Sequence, residues 1–228
     1  MPDASTARPL DVDAVLFDLD GTLADSAGDL AGAVNRLRAE HGLAPVAVEP
    51  MRPHASSGAC GLLRAGMGIQ ADDPRYTELR DAFLVHYEAC HAETTRLFDG
   101  VTQLLDTLDA RGIAWGIVTN KASRFTRLVV TALKLDRRAK SIVSGDTTPR
   151  AKPHPEPLLH AARELRVPPE RCVYVGDDLR DVQAGIAAGM PTLVAKWGYL
   201  GTGAPCEQWP ATGWVEEPVG VLGWVRGG

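Results

Sequence analysis

The chain has 228 residues, 45% hydrophobic and 23% charged, with a formal net charge of -5 and a sequence pI near 5.7. That length suits one α/β domain, or a core carrying a smaller inserted unit, with a packed interior in either case. The acidic balance argues against nucleic acid and anionic membrane as partners, and no apolar run reaches membrane-spanning length.

The start, Met1 to Asp13, lacks the basic end and apolar stretch of a secretory leader, so a cytoplasmic location is expected. The apolar run Ala14 to Phe17 then drives into Asp18-Leu19-Asp20-Gly21-Thr22. This reads as a buried strand whose carboxyl end carries two acids, with Gly21 letting the backbone turn. Ligands of open α/β sheets gather at such strand ends. Two crowded carboxylates repel, and hard oxygen ligands suit Mg²⁺. Asp18 can hold a metal through one oxygen and attack phosphorus with the other, while Asp20 handles a proton. Taken alone, the motif also reads as a solvated Asp-Gly turn.

Ser26 to Asp29 has the form of a capping box, with Leu30, Val34, Leu37 and Leu43 following at near-helical spacing and Gly42 closing the helix. Leu62, Leu63 and Met67 suit a second helix; Tyr76, Leu79, Phe83 and Tyr87 suit another, begun by Pro74. The block from Asp25 to Arg96 therefore predicts a small helical unit folded over the end of the first strand. Between its helices, Arg52 to Gly61 is rich in small and polar residues; it reads either as an interhelical turn or as a loop presenting Arg52, His54, Ser56 and Ser57 to a ligand. Of the cysteines, Cys60, Cys90, Cys172 and Cys206 are widely spread without a CxxC pair. Free, buried thiols are expected, with a Cys60 to Cys90 contact left open.

Beyond Gly100, Val101, Leu104, Leu105 and Leu108 predict a helix ended by Gly112. Ile113 to Val118 is a second buried strand, and it stops at Thr119-Asn120-Lys121, where a hydroxyl, an amide side chain and the next backbone N–H can hold phosphate oxygens. The same residues also make an Asx turn. A third strand at Ser141 to Ser144 leads to the proline-studded stretch Ala151 to Pro157, which fixes Lys152 ahead of a helix over Leu158 to Leu165. A rigidly held ammonium there can offset carboxylate repulsion and later neutralise a phosphoryl group. Cys172 to Val175 is a fourth strand, ending in Gly176-Asp177-Asp178-Leu179-Arg180-Asp181. Asp177 completes an oxygen-rich metal site with Asp18 and the Asp20 carbonyl, Asp181 faces the same way one turn on, and Asp178 points elsewhere. Thr192 to Ala195 is a fifth strand. The tail beyond Gly198 carries no catalytic pattern, and its tryptophans read as packing residues.

Asp-x-Asp-Gly-Thr, Thr-Asn, Lys-Pro and Gly-Asp-Asp-x-x-x-Asp, in that order over Val12 to Gly201, resemble the haloacid dehalogenase superfamily of phosphohydrolases. The resemblance implies a Rossmann-like α/β core with a central parallel sheet, residues 1–24 and 97–228, and an inserted α-helical cap, residues 25–96. The pieces Asp25 to Leu30, Phe98 to Val101 and Thr119 to Lys121 are similar to phosphoglycolate phosphatases. Trp115 to Lys121, Lys152 to Pro157 and Val175 to Asp181 are similar to N-acetylmuramic acid 6-phosphate phosphatases. In function, the resemblance implies a Mg²⁺-dependent phosphomonoesterase of small phosphorylated metabolites, monomer or homodimer. Asp18 is its nucleophile, Asp20 its acid and base, and Lys152 its charge-neutralising residue. Asp18, Asp20, Asp177 and Asp181 surround the metal, and Thr119, Asn120, Gly21, Lys121, Ser57 and Arg52 contact the substrate. A β-phosphoglucomutase-type phosphomutase is the alternative on the same core; dehalogenation is disfavoured because Asp20 is present.

Overall fold

In the computed structural model, residues 10–226 are described; the first nine residues of the stretch read as lacking a leader lie outside them. Six parallel strands form the central sheet: β2 (Ala14–Phe17), β5 (Ala114–Val118), β6 (Ile142–Val143), β7 (Cys172–Gly176), β8 (Thr192–Ala195) and β9 (Gly213–Val215). Their order is β6-β5-β2-β7-β8-β9, so β2 lies inside the sheet, between β5 and β7. Each of these two neighbours pairs with all four residues of β2. Burial on both faces explains why the strands are continuous apolar runs.

Alternation along the strands sorts the core into two layers. Val15, Phe17, Trp115, Ile117, Val173 and Val175 point to one face, against α5 (Val101–Ala110) and α6 (Ser123–Ala132). Leu16, Val118 and Tyr174 point to the other, against α7 (Glu156–Leu165) and α8 (Leu179–Ala187). Each fully buried Leu, Val or Phe in these layers contributes about 1.5–3 kcal/mol. The architecture is the expected Rossmann-like α/β fold.

Four helices, α1 (Ala27–Glu40), α2 (Val48–Ala55), α3 (Gly58–Met67) and α4 (Tyr76–Cys90), lie between β3 (Ala24–Asp25) and β4 (Arg96–Leu97). The last two pair antiparallel, so the two passages into and out of the helical unit run side by side. The unit packs around Leu30, Val34, Leu37, Leu63, Phe83 and Tyr87, and takes in Phe125 and Tyr199 from outside it. No helix among the described residues is long and apolar enough to cross a membrane.

Several expectations change. Arg52 to Gly61 is mostly helical: Arg52 to Ala55 end α2, with Pro53 inside it, and Gly58 to Gly61 begin α3. Burial of Met51 and Ala55 against the neighbouring helices outweighs the weak local propensity. Ser26 does not cap α1 with its side chain, because that hydroxyl donates to Asp20. Asp29 is spent differently too, accepting from the amides and hydroxyls of Thr94 and Thr95 at 2.6–3.0 Å. The third strand is shorter than predicted. In the tail, Gly213–Val215 supplies the outer strand β9, and β10 (Val225–Arg226) pairs with β1 (Leu10–Asp11). All four cysteines are free, and Cys60 is exposed rather than buried.

Candidate active site

The carboxyl ends of β2, β5 and β7 meet beneath the helical unit, on either side of the point where the chain reverses its direction of winding across the sheet. Lys152 stands at the centre, its side chain 2% exposed. Its ammonium lies 2.9 Å from Asp18 Oδ1 and 2.7 Å from Asp181 Oδ1. It also donates to the Val118 carbonyl at 2.9 Å and to the Tyr174 hydroxyl at 2.7 Å. Burial works against that charge, but Asp18 and Asp181 hold the Lys152 pKa above its ordinary value. The loop is fixed through Asn120, whose side-chain amide donates to the Lys152 carbonyl and accepts from the Lys152 N–H, both at 2.9 Å.

Asp18, Asp177 and Asp181 each offer an oxygen within 4.8 Å of the others. Burial pushes the Asp18 carboxyl up to about 6, with Lys152 opposing the rise and Asp181 adding to it. Asp177 is driven well above the usual carboxylate range by burial and then by Asp18 and Asp181. Three crowded carboxylates facing one ammonium carry more negative charge than that ammonium balances, and a hard divalent cation fits this all-oxygen donor set.

Asp177 is held tightly. Thr22 Oγ1 and the Tyr199 N–H each donate to it at 2.9 Å. Gly21 sits so close, at φ 86°, that a Cβ there would fall 2.1 Å from Asp177 Oδ2; at Gly198 a Cβ would fall 2.3 Å from the Asp177 Cβ. Only glycine allows that approach. Asp181 has a second role, because its Oδ2 accepts from the Asp178 N–H in a capping box at the start of α8.

Asp20 is turned to another partner. Lys121 Nζ lies 3.0 Å from Asp20 Oδ2, and Ser26 Oγ donates to Oδ1. Burial works against the Lys121 ammonium, but Asp20 and then Tyr87 hold its pKa above the ordinary lysine value. The Asp20 carboxylate is thus outside the three-acid cluster.

A cavity of about 440 Å³ opens above these groups, lined from the core by Asp18, Asp20, Thr119, Asn120, Lys121 and Lys152, and from the helical unit by residues including Ser56, Ser57 and Tyr87. Four expected contacts are arranged differently. Arg52 does not line the cavity; its guanidinium bonds Asp25 Oδ1 at 2.6 Å and lies over the Tyr199 ring. Gly21 is absent from the wall and spends its N–H on the Ala24 carbonyl. The Asn120 side chain is occupied by Lys152, and the Lys121 N–H donates to Thr119 Oγ1 at 3.2 Å. Asp178, read as pointing away, does line the cavity and pairs with Arg180 at 2.8 Å. Arg180 in turn donates to the Ser56 carbonyl, joining core to helical unit.

Two tyrosines carry weight that the sequence did not signal. Tyr174, on a strand face that reads as core, receives Lys152 and donates to the Val118 carbonyl at 2.8 Å. Tyr199, from the loop after β8, caps α1: its hydroxyl accepts from the N–H groups of Ser26 and Ala27 at 2.8 and 3.0 Å.

The family model for haloacid dehalogenase-like hydrolases matches residues 15–195. The chain is 43% identical to a phosphoglycolate phosphatase of Xylella fastidiosa over 204 residues, 90% of this chain and 89% of that one. It is 38% identical to an N-acetylmuramic acid 6-phosphate phosphatase of Pseudomonas aeruginosa over 205 residues, 90% and 91% of the two. Among solved structures, that of a predicted phosphoglycolate phosphatase from Haemophilus somnus superposes with a TM-score of 0.82 at 24% identity, covering 93% of this chain and 97% of the other.

Proposed function

The chain belongs to the haloacid dehalogenase-like hydrolases, and we propose that it is a Mg²⁺-dependent phosphomonoesterase working through an aspartyl-phosphate on Asp18. The observation that carries this reading is the convergence of Asp18, Asp177, Asp181 and Lys152 at adjoining strand ends, beneath a cavity large enough for an ester. The relatives' names support phosphoglycolate or N-acetylmuramic acid 6-phosphate as the metabolite.

Asp18 attacks phosphorus in line with the departing alcohol, and Asp20 gives that alcohol a proton. Asp20 then takes a proton from water, which cleaves the acyl phosphate and frees inorganic phosphate. Thr119 and Lys152 bear the charge on the transferring group. Asn120 serves by locking the Lys152 backbone, and Lys121 with Ser26 aims the Asp20 carboxylate. Asp18, Asp177, Asp181 and the Asp20 carbonyl are the residues to hold Mg²⁺, which neutralises the carboxylates and polarises a phosphoryl oxygen when bound.

The test is phosphate release from 2-phosphoglycolate, N-acetylmuramic acid 6-phosphate and p-nitrophenyl phosphate, in Mg²⁺ and in EDTA. Turnover should require Mg²⁺, and Asp18→Asn should lower kcat by at least about a thousandfold while remaining folded. A variant that keeps a tenth of wild-type turnover removes Asp18 as nucleophile.

A further inference from the structure

The start of α8 holds two charged residues that the chemistry above does not use. Asp178 and Arg180 come directly after the cluster residue Asp177, and both line the cavity. Arg180 is fixed against Asp178 in three ways. Its backbone N–H donates to Asp178 Oδ1 at 2.9 Å, its Nε to the same oxygen at 2.8 Å, and its Nη2 to Oδ2 at 3.0 Å. Such a fork sets the plane of the guanidinium as well as its place, which a single contact does not. Burial works against the Asp178 charge, but Arg180 holds its pKa below the ordinary value, so the pair is ionic at neutral pH.

The guanidinium then reaches out of the core, where Nη2 also donates to the Ser56 carbonyl. Ser56 closes α2, and its carbonyl is one of those that a helix end leaves without an intrahelical partner. No backbone N–H donates to it among the described residues, and a cation suits the negative end of a helix. The junction held by this bond, Ser56 to Ala59, lines the cavity from the side of the helical unit. Ser57 and Gly58 are exposed, and such small side chains bury little apolar surface to hold the junction down. Its other link to the core is weak, with Ser56 Oγ 3.5 Å from Asp177 Oδ2.

We propose that Arg180, braced by Asp178, is a positioning residue that seats the α2–α3 junction over the strand ends before substrate arrives. The alcohol portion of the ester then meets a wall already formed, while the phosphoryl group depends on the core residues alone. Without the strut the junction is seated only part of the time, and apparent affinity falls by that fraction. The kinetic consequence rests on the phosphatase reading above; the seating does not.

The experiment compares wild type with Arg180→Met, Arg180→Lys and Asp178→Asn in two ways. Amide hydrogen exchange in Mg²⁺ reads residues 51–63, where the Ser57 N–H bonds the His54 carbonyl and the Gly61 N–H bonds that of Ser57. Arg180→Met should speed exchange there by at least about fivefold, while the strands of the central sheet keep wild-type protection and show the variant to be folded. Kinetics use 2-phosphoglycolate or N-acetylmuramic acid 6-phosphate, whichever wild type cleaves faster, with inorganic phosphate as competitive inhibitor. Arg180→Met should raise KM about tenfold and leave kcat within about threefold, because the reacting groups are untouched. Inhibition by phosphate should stay within about twofold of wild type, since phosphate has no alcohol portion to be covered. Arg180→Lys keeps the charge without the fork and should resemble Arg180→Met. Asp178→Asn, with one acceptor oxygen left for the fork, should move the same way by less. Unchanged exchange over residues 51–63 in Arg180→Met, wild-type behaviour of Arg180→Lys, or phosphate inhibition that weakens in step with KM would overturn the proposal. No phosphate from either ester with wild type would overturn the phosphatase reading, and the exchange result would still decide the seating.

Discussion

Replacing Lys152 by methionine keeps most of the stem and removes the one ammonium among three clustered carboxylates, two of them buried. Asp18 and Asp181, 14% and 3% exposed in their side chains, lose a counter-charge less than 3 Å away. The Val118 carbonyl keeps a donor, because Tyr174 still bonds it at 2.8 Å, so the cost is electrostatic and not one of orphaned backbone. Removing one partner of a buried ion pair costs about 3–5 kcal/mol. For a chain of this size each kcal/mol lowers Tm by about 2–4 °C, giving a fall of about 6–20 °C. The assay is thermal unfolding in EDTA and again with Mg²⁺, which should return part of the loss by binding the same acids in the folded state. If Lys152→Met melts within 2 °C of wild type in EDTA, the ammonium is not what holds these carboxylates together.

Asp29 accepts four hydrogen bonds from Thr94 and Thr95, so Asp29→Ala should lose about 3 kcal/mol in urea unfolding, and a loss under 1 kcal/mol would mean water replaces them freely. Burial raises the Asp109 pKa, yet hydrogen bonds from Arg138 and Trp115 hold it below the ordinary value overall. Its contribution is therefore present above the unfolded pKa of about 3.9 and lost as pH falls through the folded one. Because the Asp109 side chain is 42% exposed and solvent screens its pairing, Asp109→Ala should cost no more than about 1 kcal/mol at pH 7, and the gap to wild type should narrow below about pH 4; a gap that widens in acid refutes the sign. Native protein should give one fast-reacting thiol, Cys60, and four after unfolding, since the others are buried and burial drives Cys172 up to about 12. Two fast thiols would contradict this.

The strands of the core were legible because burial on both faces leaves an unbroken apolar signature, as in Cys172 to Val175 and Ala14 to Phe17. Their acidic and basic ends were legible because charge directly after such a run has few structural uses. What stayed hidden depends on partners far along the chain. Pro53 inside α2 gives a local signal against helix, and only the packing of Met51 and Ala55 reverses it. The motif containing Asn120 suggests a ligand contact, whereas the side chain is reserved for a backbone 32 residues away. Arg52 reads as a free cation until Asp25 is beside it. Tyr87 sits at ordinary core spacing on its helix, and nothing in that spacing tells that its side chain also lines the cavity.

The position of β2 inside the sheet also governs how the molecule is made. Both of its neighbours come later in the chain, with Ala14 paired to Ala114 and to Cys172. At about 5–20 residues per second, the ribosome needs about 8–30 s after making this strand to supply the second partner. Both edges of Val15, Leu16 and Phe17 are unpaired until Ala114 to Val118 is made, and one edge stays unpaired until Cys172 to Gly176 follows, while the helical unit made next can already gather its own apolar residues. Nascent chains halted before Cys172 should therefore be the form most exposed to chaperones and to aggregation.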